Sequence, residues 1–378
     1  MAHRGITFVV TTRLFFAVVF LLFAAPCAAS PDRYTEPQHC DTPSATTPVC
    51  FADRPIAAAE ARKMLGSREL YAFAADGVLT VLARRHTGPV TLCCSIVAPL
   101  NPIAGSDLWS LSLRVFQLDR AIIDIQSREL PQLDVPVYRG ASAELNVSTT
   151  LAGAIVRETI ESAALGEHRL LSIYLPPGFD ATRRYPVVYL ADGYAMPVLA
   201  AAFDAQIASG RLRPLLVVGI WPGQHDPKDR AREYLPDRMP GRYRAHARFV
   251  LDEVMPLVER KFGASSRPDE RMIAGFSDGA AWALSMGLAH RDLFGTVAAL
   301  SFGWQMAADG IETKPRPRLF LAAGRLEPNF HMLTLAAARR AQATGGDVLF
   351  EDYTSAHSLF AWQNMFADAL YWTFPATP

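Results

Sequence analysis

Cysteine is scarce in this sequence, five residues in 378, with no CxxC spacing and no His/Cys cluster. That composition gives no reason to expect a bound metal or a metal-dependent fold. Charge of one sign is equally lacking, because 37 Lys and Arg balance 37 Asp and Glu. A neutral chain offers no electrostatic case for a nucleic-acid or polybasic membrane partner. Heptads, low-complexity runs and repeats of 20–50 residues are also missing, which excludes coiled coils and solenoids. Half the residues are hydrophobic and a fifth are charged, an ordinary globular composition. The length suits two domains rather than one.

One long apolar run is present, at the start. His3, Arg4 and Arg13 precede or flank "LFFAVVFLLFAA", and "APCAAS" follows with small residues. The layout is that of a secretory signal peptide, residues 1–29, cleaved near Ala29. Its apolar core is short for a membrane span, so no integral span is expected once it is removed. Periplasmic or secreted localisation follows. An uncleaved N-terminal anchor is the alternative, and lipidation at Cys27 is disfavoured by the preceding Pro26. Cys40, Cys50, Cys93 and Cys94 then remain, with three pairings open in an exported protein. Cys40 and Cys50 bracket a loop that closes easily. Cys93 and Cys94, as neighbours on a strand, should point to opposite faces, so at most one of them faces a given partner, and one or both as buried free thiols is the alternative reading.

Two regions differ in period. From about residue 70 to 126 the pattern alternates. In "DLWSLSLRV", Trp109, Leu111, Leu113 and Val115 alternate with Ser110, Ser112 and Arg114. Asp76-Gly77 between two apolar runs signals a hairpin. Short strands without intervening helices predict a small all-β sandwich over residues 30–140. Pro131, Pro136, Gly140 and a polar stretch mark its end. From about 150 to 378, strands alternate with helices. Strands are expected at 170–176, 186–192, 215–221, 271–277, 296–302, 318–324 and 348–354, and helices within 243–262, 279–290 and 330–343. That alternation predicts an α/β fold around a mostly parallel sheet.

"GFSDGAAW" puts Ser277 between Gly275 and Gly279. A GxSxG pattern alone arises by chance in about one chain in ten of this size. Here a strand precedes it and a helix follows, the setting a nucleophile elbow requires. The turn exposes the serine oxygen and aims the backbone N–H of Asp278 at a developing oxyanion. A serine hydroxyl needs a base. Of the histidines after Ser277, His290 ends the following helix and His331 opens another. His357 alone lies on a loop after the last strand, where the order Ser, acid, His places the base. Glu327, in the loop after the penultimate strand, is the expected acid, ahead of Asp347 and Asp352. A second oxyanion N–H is expected from Gly193 or Tyr194 in "YLADGYAMP", with Asp192 bracing the turn.

"RLLSIYLPPGF", "RYPVVYLADG", "AREYLPD", "AGFSDGAA", "GRLEP" and "AHSLFAW" follow one another in an order that resembles the putative-esterase family of α/β-hydrolases, which includes the enterochelin (ferric enterobactin) esterases. The resemblance covers about residues 155–375. Upstream, "VLTVLARRHTGPVTL" and "GSDLWSLSLRVFQLDRAIIDI" look like the β-domain of the two-domain enterochelin esterases. The resemblance implies Ser277 as nucleophile, Glu327 as acid and His357 as base, no cofactor, and Arg232 and Glu233 as substrate contacts. It implies a small ester substrate, in the first place a catecholate siderophore lactone. The chain departs from the family in its leader and in Ala356, where a glycine usually precedes the histidine. An esterase of acetylated or feruloylated carbohydrates is the alternative reading. A ligand-binding protein on an inactivated hydrolase fold is the alternative of another class.

Overall fold

The structure is a computed structural model that describes residues 34–130, 135–143 and 150–376. The leader and parts of the expected boundary, Pro131 among them, lie outside the described residues.

The C-terminal region is built on an eight-stranded sheet. Its strands are β1 (Ala154–Ser162), β2 (Glu167–Leu175), β3 (Val187–Ala191), β4 (Leu216–Ile220), β5 (Arg271–Phe276), β6 (Thr296–Leu300), β7 (Arg318–Gly324) and β8 (Val348–Tyr353). Their order across the sheet is β1-β2-β4-β3-β5-β6-β7-β8. β1 and β2 run antiparallel to their neighbours and the other pairings are parallel. Strands β3 to β6 are buried along their whole length, as their continuous apolar runs require of strands covered on both faces. The helices are α1 (Met196–Ala208), α2 (Asp229–Tyr234), α3 (Pro240–Arg248), α4 (Met255–Phe262), α5 (Asp278–Ala289), α6 (Pro328–Ala343) and α7 (Leu359–Thr373). Two separate apolar cores lie on opposite faces of the sheet. One gathers Ile173, Tyr189, Ile273, Trp282 and Val297, the other Val188, Phe203, Phe276, Phe320 and Trp362.

Residues 49–139 form three small antiparallel sheets. The largest carries Val49–Phe51, Leu108–Val115, Val78–Arg84 and Leu70–Ala75, with Asn101–Pro102 paired to Leu108–Val115. Asp76 and Gly77 both have positive φ, 50° and 73°, which the predicted hairpin turn requires. Leu79, Val81, Leu92, Leu111, Leu113 and Ile123 share one core. The region also holds a helix, Ala58–Leu65, that alternation did not announce. Its Ala-rich run favours helix, and Ala61 and Leu65 pack on Leu82 and Leu108.

Cys40 and Cys50 are joined in a disulfide. Cys93 and Cys94 depart from the expectation of opposite faces. β pairing stops at Cys93, and Cys94 turns to a φ of 74°. The two sulfurs therefore lie side by side, 2.9 Å apart.

Candidate active site

The site is assembled at the C-terminal edge of the parallel sheet from the loops after β3, β5, β6, β7 and β8. Ser277 occupies the turn between β5 and α5 with φ 57° and ψ −126°, a strained conformation for a non-glycine residue. The glycines around it answer to space. A Cβ at Gly275 would stand 2.2 Å from the Gly279 carbonyl oxygen, and one at Gly279 would stand 2.8 Å from the Ala191 Cβ. The turn therefore closes only with hydrogen at both positions.

Ser277 Oγ lies 2.9 Å from His357 Nε2. His357 Nδ1 lies 2.6 Å from Glu327 Oε2. Glu327 is fully buried, and its other oxygen accepts from the Gly324 N–H and the Ser301 hydroxyl at 2.6 and 2.5 Å. Ser301 in turn accepts from the Trp362 indole N–H at 2.9 Å. Each carboxylate oxygen is thus held, and one faces the imidazole. The ring stacks on Phe330 at 4.0 Å and meets the edge of Trp362 at 4.6 Å. These contacts fix the imidazole plane. Chemically, the arrangement holds a hydroxyl, a base and an orienting acid in one line of proton transfer.

Asp278 opens α5, so its N–H has no acceptor within the helix and sits at the positive end of the dipole. The other side of the same space is the turn after β3. Asp192 has φ 60°, and Gly193 and Tyr194 begin a helical turn. Gly193 packs so closely on β4 that a Cβ there would lie 2.3 Å from the Gly219 carbonyl oxygen. Burial pushes the Tyr194 phenol well above its usual range, so it stays neutral.

A residue that sequence reasoning passed over joins these two loops. Arg230 places Nε and Nη2 on the two oxygens of Asp192, each at 2.8 Å, and Nη1 on Asp278 Oδ2 at 2.7 Å. It also donates to the Phe276 carbonyl at 3.3 Å. Burial opposes its charge, but Asp192 outweighs this and raises the guanidinium pKa above the ordinary value. The available signal was the "DRAREY" segment, whose first arginine precedes the two residues singled out.

Those two residues are occupied elsewhere. Glu233 is fully buried, with its carboxylate on Arg169 Nη1 and Nη2 at 2.9 Å each, on Arg242, and on the Gly223 N–H. Arg232 pairs with Asp226 and Asp229. The α2 helix turns Glu233 inward onto the buried Arg169 and the half-buried Arg242, while Arg232, expected with it as a substrate contact, stays half-buried in its ion pairs. Of the weaker acid contenders, Asp347 pairs with Arg318, and Asp352 with Arg325 and His331.

His246 lies behind this ion cluster, fully buried between Tyr234 and Trp282. Burial lowers its pKa to about 4. An unfolded histidine titrates near 6.5, so the unfolded chain binds the extra proton over that interval. Stability is full above about pH 6.5 and falls as pH drops toward 4, by about 3 kcal/mol from this residue alone. The variant His246→Phe should flatten that acid limb in urea-unfolding free energies measured from pH 7 to 4.

Among the described residues no group of three or more His, Cys, Asp or Glu is placed to hold a metal ion, and no helix is long and apolar enough to cross a membrane.

A doubly covered parallel sheet, a strained serine turn and a histidine on the last loop define a hydrolase of the α/β type. The chain belongs to the family described as "Putative esterase", whose sequence profile matches residues 162–373. It is similar in structure to the enterobactin esterase of Shigella flexneri, with a TM-score of 0.65 and 17% identity, over 81% of this chain and 96% of that one. It is also similar to a ferulic acid esterase of Anaeromyces mucronatus, with a TM-score of 0.50 and 18% identity, over 59% of this chain and 91% of that one. In sequence it is 25% identical over 226 residues to an endo-1,4-beta-xylanase/feruloyl esterase of Xylanibacter ruminicola. That match takes in 56% of this chain and only 30% of the relative's length. The family places the chain among the esterases, and the solved structures share its fold.

Proposed function

We propose that the protein is an exported serine esterase in which Ser277 attacks the ester carbonyl, His357 removes its proton and Glu327 holds the imidazole and stabilises the imidazolium. The observation that carries this reading is the unbroken chain Ser277 Oγ, His357, Glu327 at 2.9 and 2.6 Å. Attack breaks the carbonyl π bond and puts negative charge on its oxygen. The N–H groups of Asp278 and of Gly193 or Tyr194 are the donors for that charge. His357 then protonates the leaving alkoxide, an acyl-serine forms, and water activated by the same imidazole releases the acid.

For the substrate, the leading class is a catecholate siderophore ester of enterobactin type. The support is coverage: similarity to the enterobactin esterase runs through the N-terminal β region as well, whereas the ferulic acid esterase matches a shorter stretch. On this reading residues 30–140 form a small β-sandwich domain ahead of an esterase domain at 150–378. The second reading, an esterase of feruloylated or acetylated carbohydrates, draws on the sequence match to the xylanase/feruloyl esterase. Side-by-side hydrolysis of enterobactin, methyl ferulate and acetylated xylan by the purified protein decides between them. The leading reading expects kcat/KM for enterobactin to exceed the others by about 100-fold or more, the scale that well-placed polar contacts supply. A preference for methyl ferulate would reverse it.

A further inference from the structure

Adjacent side chains on a strand leave on opposite faces, so two neighbouring cysteines ordinarily do not touch. Cys93 and Cys94 touch because the strand ends between them. Thr91–Cys93 is laddered on both sides, with Leu92 opposite Ala98 and Ser127, and Cys93 opposite Gln126. At Cys94 the chain turns to a φ of 74°, a left-handed conformation that few residues other than glycine adopt. Beyond the turn it is pinned again. Thr35 N–H donates to the Ser95 carbonyl at 3.3 Å, and Val97 N–H donates to the Thr35 carbonyl at 2.9 Å. The bend is thus held from both ends, and it brings the Cys94 side chain back to Cys93. Cys94 Sγ donates to Cys93 Sγ at 2.9 Å, within about 1 Å of the length of an S–S bond, about 2.05 Å.

The two sulfurs differ in access. Cys93 is buried beside Leu92, Ile96 and Ile125 of the β core, while Cys94 is half-buried. One thiol is therefore open to a reagent from solution and the other stands next to it, the arrangement of an attacking sulfur and a resolving one. The same chain already carries a disulfide, Cys40–Cys50, a bond that forms and persists where thiols are oxidised.

We propose that Cys93 and Cys94 are a redox pair that closes into a vicinal disulfide by exchange with a small disulfide. The Cys94 thiolate attacks one sulfur of the reagent, forming a mixed disulfide and expelling the first thiolate. Cys93, deprotonated, then attacks the Cys94 sulfur, and the second thiolate leaves as the Cys93–Cys94 bond forms. Two protein thiols give up two electrons and two protons, and the reagent takes them up as two thiols. The product is easily reopened. Adjacent Cα atoms stand about 3.8 Å apart across a trans peptide, below the roughly 4.4–6.8 Å that disulfides usually span. The Cα atoms of Cys40 and Cys50 are 5.3 Å apart, inside that range. Closure between neighbours thus strains the ring and makes it the more reducible of the two bonds. The site lies in the N-terminal β region and does not depend on the esterase reading.

The test uses the folded full chain, treated with a thiol reductant and then incubated with oxidised glutathione. Remaining thiols are alkylated in denaturant, and the digest is analysed by mass spectrometry. The peptide spanning residues 93 and 94 should escape alkylation in most molecules and weigh two hydrogens less than its reduced form. In Cys93→Ser the resolving sulfur is gone, so Cys94 should retain a glutathione adduct that the wild type does not keep. Across graded mixtures of reduced and oxidised glutathione, Cys93–Cys94 should open at a ratio about tenfold or more less reducing than the one that opens Cys40–Cys50. Alkylation at both positions, a lasting adduct on Cys94 in the wild type, or a link from either residue to another cysteine would overturn the pair. So would a Cys93–Cys94 bond as resistant to reduction as Cys40–Cys50. Should Cys93→Ser not fold, the wild-type mass and the reduction series still decide.

Discussion

Ser277→Ala is expected to abolish turnover of p-nitrophenyl esters, with kcat falling by about 10⁵-fold or more, while the fold and ester binding survive. The size follows from what is lost. Without the hydroxyl no acyl-enzyme forms, and the imidazole has no proton to accept, so only the oxyanion donors and substrate binding remain, worth roughly 10³–10⁴ over water in serine hydrolases. The fold is spared because alanine at φ 57° carries about the same backbone strain as serine. It also loses no hydrogen bond beyond the one to His357. Two measurements check it. Ester turnover should drop to background, and a fluorophosphonate probe that labels the wild type should leave the variant unmodified. Full activity in the alanine variant would remove Ser277 from the mechanism, and a wild type inert to the probe would favour a ligand-binding protein on a hydrolase fold.

Much of this site was legible because elbow chemistry writes itself locally. The strand at 271–276, Ser277 and the helix from 278 are contiguous, with Gly275 and Gly279 on either side, and the period changes at the serine. β3, β4, β6 and β7 were equally plain as buried apolar runs bounded by Pro, Gly or Asp, and β8 as a short run that is half-buried along its length. What escaped has physical reasons. β1, "AIVRETIES", is an edge strand with alternating exposure, and its charged residues made it resemble linker. α1 and α7 are apolar nearly all round, with eight buried residues each, so no stripe marked them. The π-helical turn at Phe249–Val254 inside the stretch read as one helix leaves no trace in a 3.6-residue pattern. Ser301 and Arg230 were invisible for a different cause. Each acts through partners 26 to 61 positions away, and nothing in the local spacing says that Asp192, Arg230 and Asp278 will meet.

Arg230 is where that long-range information matters most for rate. Its guanidinium lies between the two turns proposed to supply the oxyanion donors, gripping Asp192 behind Gly193 and Asp278 beside the serine. Asp192 is fully buried, so removing its partner leaves an uncompensated charge in the interior, a loss of about 3–5 kcal/mol in comparable cases. The same removal frees the turns to separate, and loss of one well-placed oxyanion donor costs about 10²–10³ in kcat. Arg230→Met should therefore lower kcat by about 10²-fold or more with a modest change in KM, and lower the melting temperature. Arg230→Lys restores the charge but not the fork, since one ammonium cannot hold both oxygens of Asp192 and reach Asp278 in fixed geometry. It should recover stability more than rate. Pairing Arg230→Met with Asp192→Asn removes the buried charge as well. It should regain most of the melting temperature while kcat stays low, because the turns remain unjoined. Recovery of rate together with stability in that double variant would show that Arg230 serves the fold alone and leaves the oxyanion donors in place without it.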